Sequence, residues 1–379
     1  MLDLPRVRAW RVPHPSPACV VTFGNYEDQP EGWATGFGQG FLDRAGLDAI
    51  HVVPRANDWY QHGDMPAALA AVRAAAAGKP VFTYGSSMGA YAALRFGGAL
   101  GAAAAIALSP QFSLDPAVVP HERRWRPEAA RLRFLDWDRP GFAPAPGIVF
   151  YDPCGPDAAH AALWAASGPM TPVPLPHAGH PAGAFLAQTG LLGPAVLDIV
   201  HGQFDAPALL RLARARRRRS GQYLLMLAAA QPPRRRGLRL RLMQAAAEAT
   251  PEHTLYGSRL AILLYRAGRD AEAEAWHRRV LAMAPPDDPR FLFRLSLFLQ
   301  RHGRYAEAAE LAAQAAALDP LSAALARHLA RLRLLAGAGG PRWRMPVRLA
   351  LQLHNAALHR AARLAWRRGW ADVGRLEQP

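Results

Sequence analysis

Val81-Phe82-Thr83-Tyr84-Gly85-Ser86-Ser87-Met88-Gly89-Ala90-Tyr91 begins as a short apolar, β-favouring run and passes through Gly-x-Ser-x-Gly. An Ala/Leu-rich segment with helical spacing follows at once. The order predicts strand, tight turn, helix. Gly85 and Gly89 flank a turn so sharp that a Cβ atom at either would collide with the neighbouring strand or helix. Ser87, between them, is then held in a strained conformation with its hydroxyl above the sheet edge. A helix starting near Met88 aims its first N–H groups at the same spot, where an oxyanion would form. Gly-x-Ser-x-Gly alone occurs by chance. The strand before it and the helix after it give it chemical meaning, against the plainer reading of an ordinary strand–helix turn.

Working outward, apolar runs at Ala18–Phe23, Leu47–Val53, Ala103–Leu108, Gly147–Tyr151 and Thr171–Leu175 read as strands. Helical patterns lie between them at Met65–Gly78 and Met88–Phe96, and a Gly-rich loop (Gly32, Gly36, Gly38, Gly40) runs into a helix end at Gly46. Near-continuous apolar strands alternating with helices predict an α/β fold, a mainly parallel sheet covered on both faces. In such sheets sites form beyond the carboxyl ends of the strands.

Two carboxylates and two histidines occupy such ends. Tyr151 is followed by Asp152-Pro153-Cys154-Gly155-Pro156-Asp157, and Leu175 by Pro176-His177-Ala178-Gly179-His180. A serine hydroxyl is a poor nucleophile until an imidazole takes its proton, and the imidazole needs a carboxylate to hold one tautomer. The order Ser, then Asp, then His, each after a later strand, resembles the α/β-hydrolase superfamily over about residues 18–200. That resemblance implies Ser87 as nucleophile and His180 as base, with His177 as rival. It implies Asp157 as acid, with Asp152 as the alternative. The oxyanion donors would be the backbone N–H of Met88 and one from the loop at Gly24 or Asn25. The stretch 109–146, with Trp125, Trp137 and the run His121-Glu122-Arg123-Arg124, is either a lid insertion or a surface excursion with its own small core. Trp59, Tyr60 and Gln111 either line the same cleft or simply pack. The resemblance calls for no cofactor and no metal.

From about Phe204 the pattern becomes all-helical. Gly268-Arg269-Asp270-Ala271-Glu272-Ala273 with Pro285 matches Gly303-Arg304-Tyr305-Ala306-Glu307-Ala308 with Pro320, a shift of 35 residues, and Gly337 follows after 34 more. This resembles the tetratricopeptide repeat, in which helix pairs stack into a solenoid. Gln222–Ala230 and Leu238–Ala249 have the spacing of a degenerate earlier repeat. Domains are therefore expected at 1–200 (α/β-hydrolase-like), 201–340 (tetratricopeptide-like repeats) and 341–379. In the last, the helical spacing of Leu349, Leu351, Leu353, Leu358 and Leu364 in Val347–Trp370 predicts a basic helix that caps the solenoid.

Charge divides the chain the same way. Of 379 residues, the first 200 carry 14 basic and 16 acidic side chains, and the rest carry 31 and 13, so the whole net charge of +16 sits in the second half. Lys79 is the only lysine. The clusters Arg216–Arg219 and Arg234–Arg236 lack interleaved aromatics or a reading motif, so a solvated helical face is preferred to nucleic acid. No apolar run reaches the ~18 residues of a membrane helix, and the start lacks the apolar core of a signal peptide. Two cysteines, Cys19 and Cys154, fit a reducing compartment, so a cytoplasmic protein is expected. The function expected is a serine hydrolase (esterase, thioesterase, amidase or acyl transferase), with the repeats recruiting a protein partner or acylated substrate. The rivals are a scaffold on an inactive hydrolase fold and a basic nucleic-acid or membrane-surface adaptor.

Overall fold

The structure, a computed structural model, describes residues 2–27, 34–76, 78–135, 137, 144–337 and 345–367. Two compact units divide the chain, Met1–Tyr223 and Leu224–Pro379.

Among the described residues the first unit is built on eight strands: β1 (Leu2–Asp3), β2 (Val7–Val12), β3 (Cys19–Phe23), β4 (Asp48–Pro54), β5 (Val81–Ser86), β6 (Ala104–Leu108), β7 (Gly147–Tyr151) and β8 (Met170–Pro174). Their order in the sheet is β1-β2-β4-β3-β5-β6-β7-β8. β2 runs antiparallel to β1 and β4, and all other pairs are parallel. The α/β expectation holds, with two additions. β1 is only two residues long, and β2 (Val7-Arg8-Ala9-Trp10-Arg11-Val12) is broken by two arginines, unlike the buried apolar runs of the central strands, so neither is part of the sequence reading.

Helices α1 (Gln39–Arg44), α2 (Met65–Ala75), α3 (Met88–Gly97), α4 (Arg126–Ala129), α5 (Asp157–Ser167), α6 (Ala182–Gln188), α7 (Leu192–Val200) and α8 (Ala206–Arg216) complete the unit. Successive strand residues feed opposite cores, as a two-residue side-chain period requires. Val21 and Phe23 join Met65 of α2, Tyr91 and Leu94 of α3 and Trp164 of α5. Val20 and Ile106 join Leu42 of α1, Leu186 of α6, Val196 of α7 and Leu209 of α8. α8 lies past the charge shift near residue 200, yet Leu209 and Ala213 belong to the sheet's core. Arg211 and Arg214 of the same helix are exposed, so charge and packing divide the chain at different places.

The remaining elements are α9 (Gly221–Ala229), α10 (Arg236–Ala249), α11 (Thr254–Ala267), α12 (Asp270–Met283), α13 (Pro289–Arg301), α14 (Tyr305–Leu318), α15 (Ala323–Ala336) and α16 (Met345–Arg367). The second unit is all-helical. Gly268 and Gly303 sit at φ 80° and 75°, left-handed positions that end α11 and α13 at glycine's lowest cost. Ala273 and Ala308 are fully buried, where a larger side chain would push the following helix away. Gly337 differs: its φ of −62° is open to any residue.

α16 forms where a helix is expected, with most of its leucines turned outward. The helix packs against α11, α13 and α15, but through polar side chains. Asn355 is buried and exchanges hydrogen bonds with Gln300: its Nδ2 donates to the Gln300 carbonyl at 2.7 Å, and its Oδ1 accepts from Gln300 Nε2 at 3.2 Å. His359 Nδ1 pairs with the Tyr265 hydroxyl at 3.0 Å, and Arg363 pairs with Asp270. Leu349, Leu353, Leu358 and Leu364 are exposed, whereas Leu351 is half-buried. Residues 338–344 and 368–379, part of the same expected element, lie outside the described residues. Among the described residues no single helix is long and apolar enough to cross a membrane.

Candidate active site

Ser87 sits at the carboxyl end of β5, in mid-sheet, where the chain turns directly into α3. Its φ of 51° and ψ of −114° are unusual for a residue with a side chain. The surroundings enforce them. A Cβ on Gly85 would lie 2.2 Å from the Gly89 carbonyl oxygen, and one on Gly89 would lie 2.3 Å from the Phe23 carbonyl oxygen. Both obstacles are backbone, which cannot swing aside.

The hydroxyl of Ser87 is 2.9 Å from His180 Nε2. His180 Nδ1 lies 2.8 Å and 3.1 Å from the two carboxylate oxygens of Asp157, the first residue of α5. Burial alone would raise the Asp157 carboxyl. His180 and the Arg124 guanidinium outweigh it and hold that carboxyl at about 2. An ionised Asp157 fixes the imidazole proton on Nδ1 and leaves Nε2 as the acceptor for the serine hydroxyl. A hydroxyl, an imidazole and a carboxylate in hydrogen-bonded series are the parts of a proton relay.

The two rivals have other work. Asp152 is buried, and its oxygens accept backbone N–H groups from Cys154 (2.8 Å), His177 (3.0 Å) and Gly179 (2.8 Å). It therefore ties down the loop that carries His180. His177, at φ 61°, stacks edge-on against Tyr223 at 6.0 Å, so it does not meet Ser87.

Gln111, which follows β6, is fully buried and donates from Nε2 to Ser87 Oγ at 3.0 Å. Two indoles hold it there: Trp59 Nε1 donates to its side-chain oxygen at 3.3 Å, and Trp164 Nε1 to its carbonyl at 3.1 Å. Tyr60 is buried too, and its hydroxyl donates to the Gly24 carbonyl at 2.9 Å. Trp59 and Tyr60 thus position neighbours from within the core. The Gly24 N–H corrects one expectation, because it donates to the Val52 carbonyl at 2.9 Å. Of the two loop residues, only Asn25 is left as a donor. Met88 opens α3, so its N–H is one of the first four without an intrahelical acceptor.

Sequence reasoning missed a second layer. Arg124 donates from Nη1 to Asp157 Oδ1 at 2.8 Å and, from Nε and Nη2, to both oxygens of buried Glu122. Glu122 also meets His160 Nε2 at 2.9 Å. Burial pushes the Glu122 carboxyl up, but hydrogen bonds with His160 and Arg124 bring it well below the usual range. The only trace of this in the sequence is the run His121–Arg124, which has the look of a solvated surface. Residues 109–135 are built into the core through Phe112, Leu114, Val119 and Ala129, while 136 and 138–143 of the expected insertion lie outside the described residues. Trp125 brings one wall of the site, its ring 6.3 Å from that of His180 and 5.2 Å from Trp59. Among the described residues no group of three His, Cys, Asp or Glu side chains is arranged to hold a metal ion.

No protein-family model and no curated protein sequence matches the chain. Among solved structures the chain is similar in part to the capsule O-acetyltransferase of Neisseria meningitidis serogroup A, solved in complex with caged gadolinium. The identity is 10%, the match covers 45% of this chain and 84% of that one, and the TM-score is 0.34. A likeness so slight carries no argument about either protein's chemistry.

Proposed function

We propose that the protein is a serine acyl hydrolase or acyl transferase of the α/β-hydrolase kind, working through an acyl-enzyme on Ser87. The observation that carries this reading is Ser87 Oγ 2.9 Å from His180 Nε2, on a turn that holds the serine at positive φ. In the reaction His180 Nε2 takes the Ser87 proton as Oγ attacks an ester or amide carbonyl carbon. The oxyanion of the tetrahedral intermediate accepts from the N–H groups of Met88 and Asn25. Collapse breaks the bond to the leaving group, which receives the proton from His180. A water or an acceptor hydroxyl, deprotonated by the same nitrogen, then attacks the acyl carbon and frees Ser87.

Asp157 holds the imidazole in the productive tautomer and stabilises the imidazolium formed at each step. Gln111 steadies the serine rotamer and offers its amide N–H to the oxygen that leaves or enters beside His180. Helices α11 to α15 are read as tetratricopeptide-like repeats that recruit a protein partner or a large acylated substrate, on the 35-residue recurrence and the two left-handed glycines.

A fluorophosphonate probe tests the reading directly. Wild type is expected to be labelled on Ser87 and to hydrolyse p-nitrophenyl acetate. Ser87→Ala is expected to lose both, with kcat down by about a millionfold. Full activity in a folded Ser87→Ala protein would end the serine mechanism and favour an inactive hydrolase fold serving as a scaffold.

A further inference from the structure

We propose that α16 seats the protein on an anionic lipid bilayer, with its leucine-bearing face entering the headgroup–acyl boundary. Among the described residues nine large hydrophobic side chains are exposed, and five of them are on this one helix: Val347, Leu349, Leu353, Leu358 and Leu364. Leu349 and Leu353 are 56% and 59% exposed. Of the eleven exposed positions from Val347 to Leu364, nine are Val, Leu or Ala, and only His354 and Arg360 are polar. A surface helix of a soluble protein shows the opposite arrangement.

The inward face explains how such a helix stays in place. Asn355, His359 and Arg363, spaced four residues apart, are held by Gln300, Tyr265 and Asp270. Arg348 donates to the Gly337 carbonyl. Polar groups therefore fix α16 to α11, α12 and α13 while its apolar side faces solvent, so the face is available without any part of the helix unfolding.

Charge selects the occupant. From residue 320 to 371 the chain holds ten arginines and not one aspartate or glutamate. Arg342 and Arg344 precede the exposed stretch in sequence, Arg360 lies within it, and Arg367 and Arg368 follow it. An apolar helix face in a stretch of sequence so rich in arginine and free of acid is matched by a surface that is apolar inside and anionic outside. A second copy of this chain would bring like charge to like charge. Nucleic acid would satisfy the arginines and leave the leucines in water.

The test uses the full chain and sedimentation with vesicles of two compositions, phosphatidylcholine alone and an equimolar mixture with phosphatidylglycerol. Binding to the mixed vesicles is expected, and weak or no binding to phosphatidylcholine. Salt at about 1 M, which shortens the Debye length to about 3 Å, is expected to release most of the protein. Leu349→Ser with Leu353→Ser is expected to lower partitioning about tenfold or more, and Arg360→Glu about tenfold. Both changes are at exposed positions, so thermal unfolding and ester hydrolysis should match wild type. No binding to the mixed vesicles overturns the proposal, as does binding that ignores lipid charge or survives both substitutions. A concentration-dependent dimer that the leucine substitutions abolish, without vesicle binding, assigns the face to a second copy and overturns it too. Retention of oligonucleotide with no affinity for vesicles would do the same.

Discussion

Asp157→Asn separates the two things that this carboxylate does, and the structure sets a magnitude for each. For stability, the carboxyl is held at about 2 in the folded chain against 3.8 ordinarily, although burial acts in the other direction. At ~1.4 kcal/mol per unit, the ionised side chain stabilises the fold by about 2–3 kcal/mol at neutral pH. The sign follows from the direction. A depressed carboxyl contributes its stability above the unfolded value near 4, and that contribution is lost as pH falls toward 2. The gap between wild type and the variant should therefore be full at pH ~7 and close between pH ~4 and ~2. Arg124 limits the damage, since it keeps both oxygens of Glu122.

For catalysis, an amide facing His180 Nδ1 favours the wrong tautomer, which places the proton on Nε2 where Ser87 needs an acceptor. A loss of about 10³–10⁴ in kcat is expected, with KM little changed. Urea unfolding across pH measures the first effect, and steady-state hydrolysis of p-nitrophenyl acetate the second. A variant with kcat within about tenfold of wild type would remove Asp157 from the mechanism. A stability gap that stays constant from neutral pH down to ~2 would refute the electrostatic account of its burial.

Asp152→Asn should behave differently, because its carboxylate serves three backbone N–H groups: a stability loss of about 2–4 kcal/mol in urea unfolding, with activity recovering once the folded fraction is corrected for. Gln111→Leu is expected to leave fluorophosphonate labelling of Ser87 intact while kcat falls about tenfold to a hundredfold, with Trp59→Phe intermediate because it frees the amide that Trp59 Nε1 holds; wild-type kcat in both would dismiss the amide. A chain ending after Tyr223 should fold and hydrolyse a small ester, whereas one ending at residue 200 should be poorly soluble, since it strips Leu209 and Ala213 from the sheet's core; equal yield and equal unfolding midpoints would contradict this.

What was legible in the sequence was what short-range pattern controls. The Gly-x-Ser-x-Gly turn is legible because its motif is contiguous and a strand and a helix flank it in the chain, although the backbone that excludes a side chain at Gly89 is that of Phe23, on a strand distant in sequence. The order of strands, aspartates and histidines led to three side chains that meet in the structure. The choice between Asp152 and Asp157 was open because both follow β7, and only the backbone N–H groups around each separate them. Gly24 and Asn25 were indistinguishable for the same reason, until the Val52 carbonyl claimed one of them. Arg124 and Glu122 were invisible. They reach Asp157 and His160 across more than thirty residues of chain, and a run of charges has no mark that says it turns inward.

Which face α16 turns inward has a separate physical origin. A helical period of apolar residues says that one side of a helix is apolar, and burial of that side is then an inference from the hydrophobic effect alone. The inference fails when the opposite face can make better-defined contacts. Asn355 and Gln300 exchange two hydrogen bonds, and a buried amide stripped of such a partner would cost about as much as a leucine gains by burial. The orientation of α16 is thus set by its polar side, through residues that periodicity reads as solvent-facing. Its leucines are left as exposed surface whose occupant must be sought outside the chain.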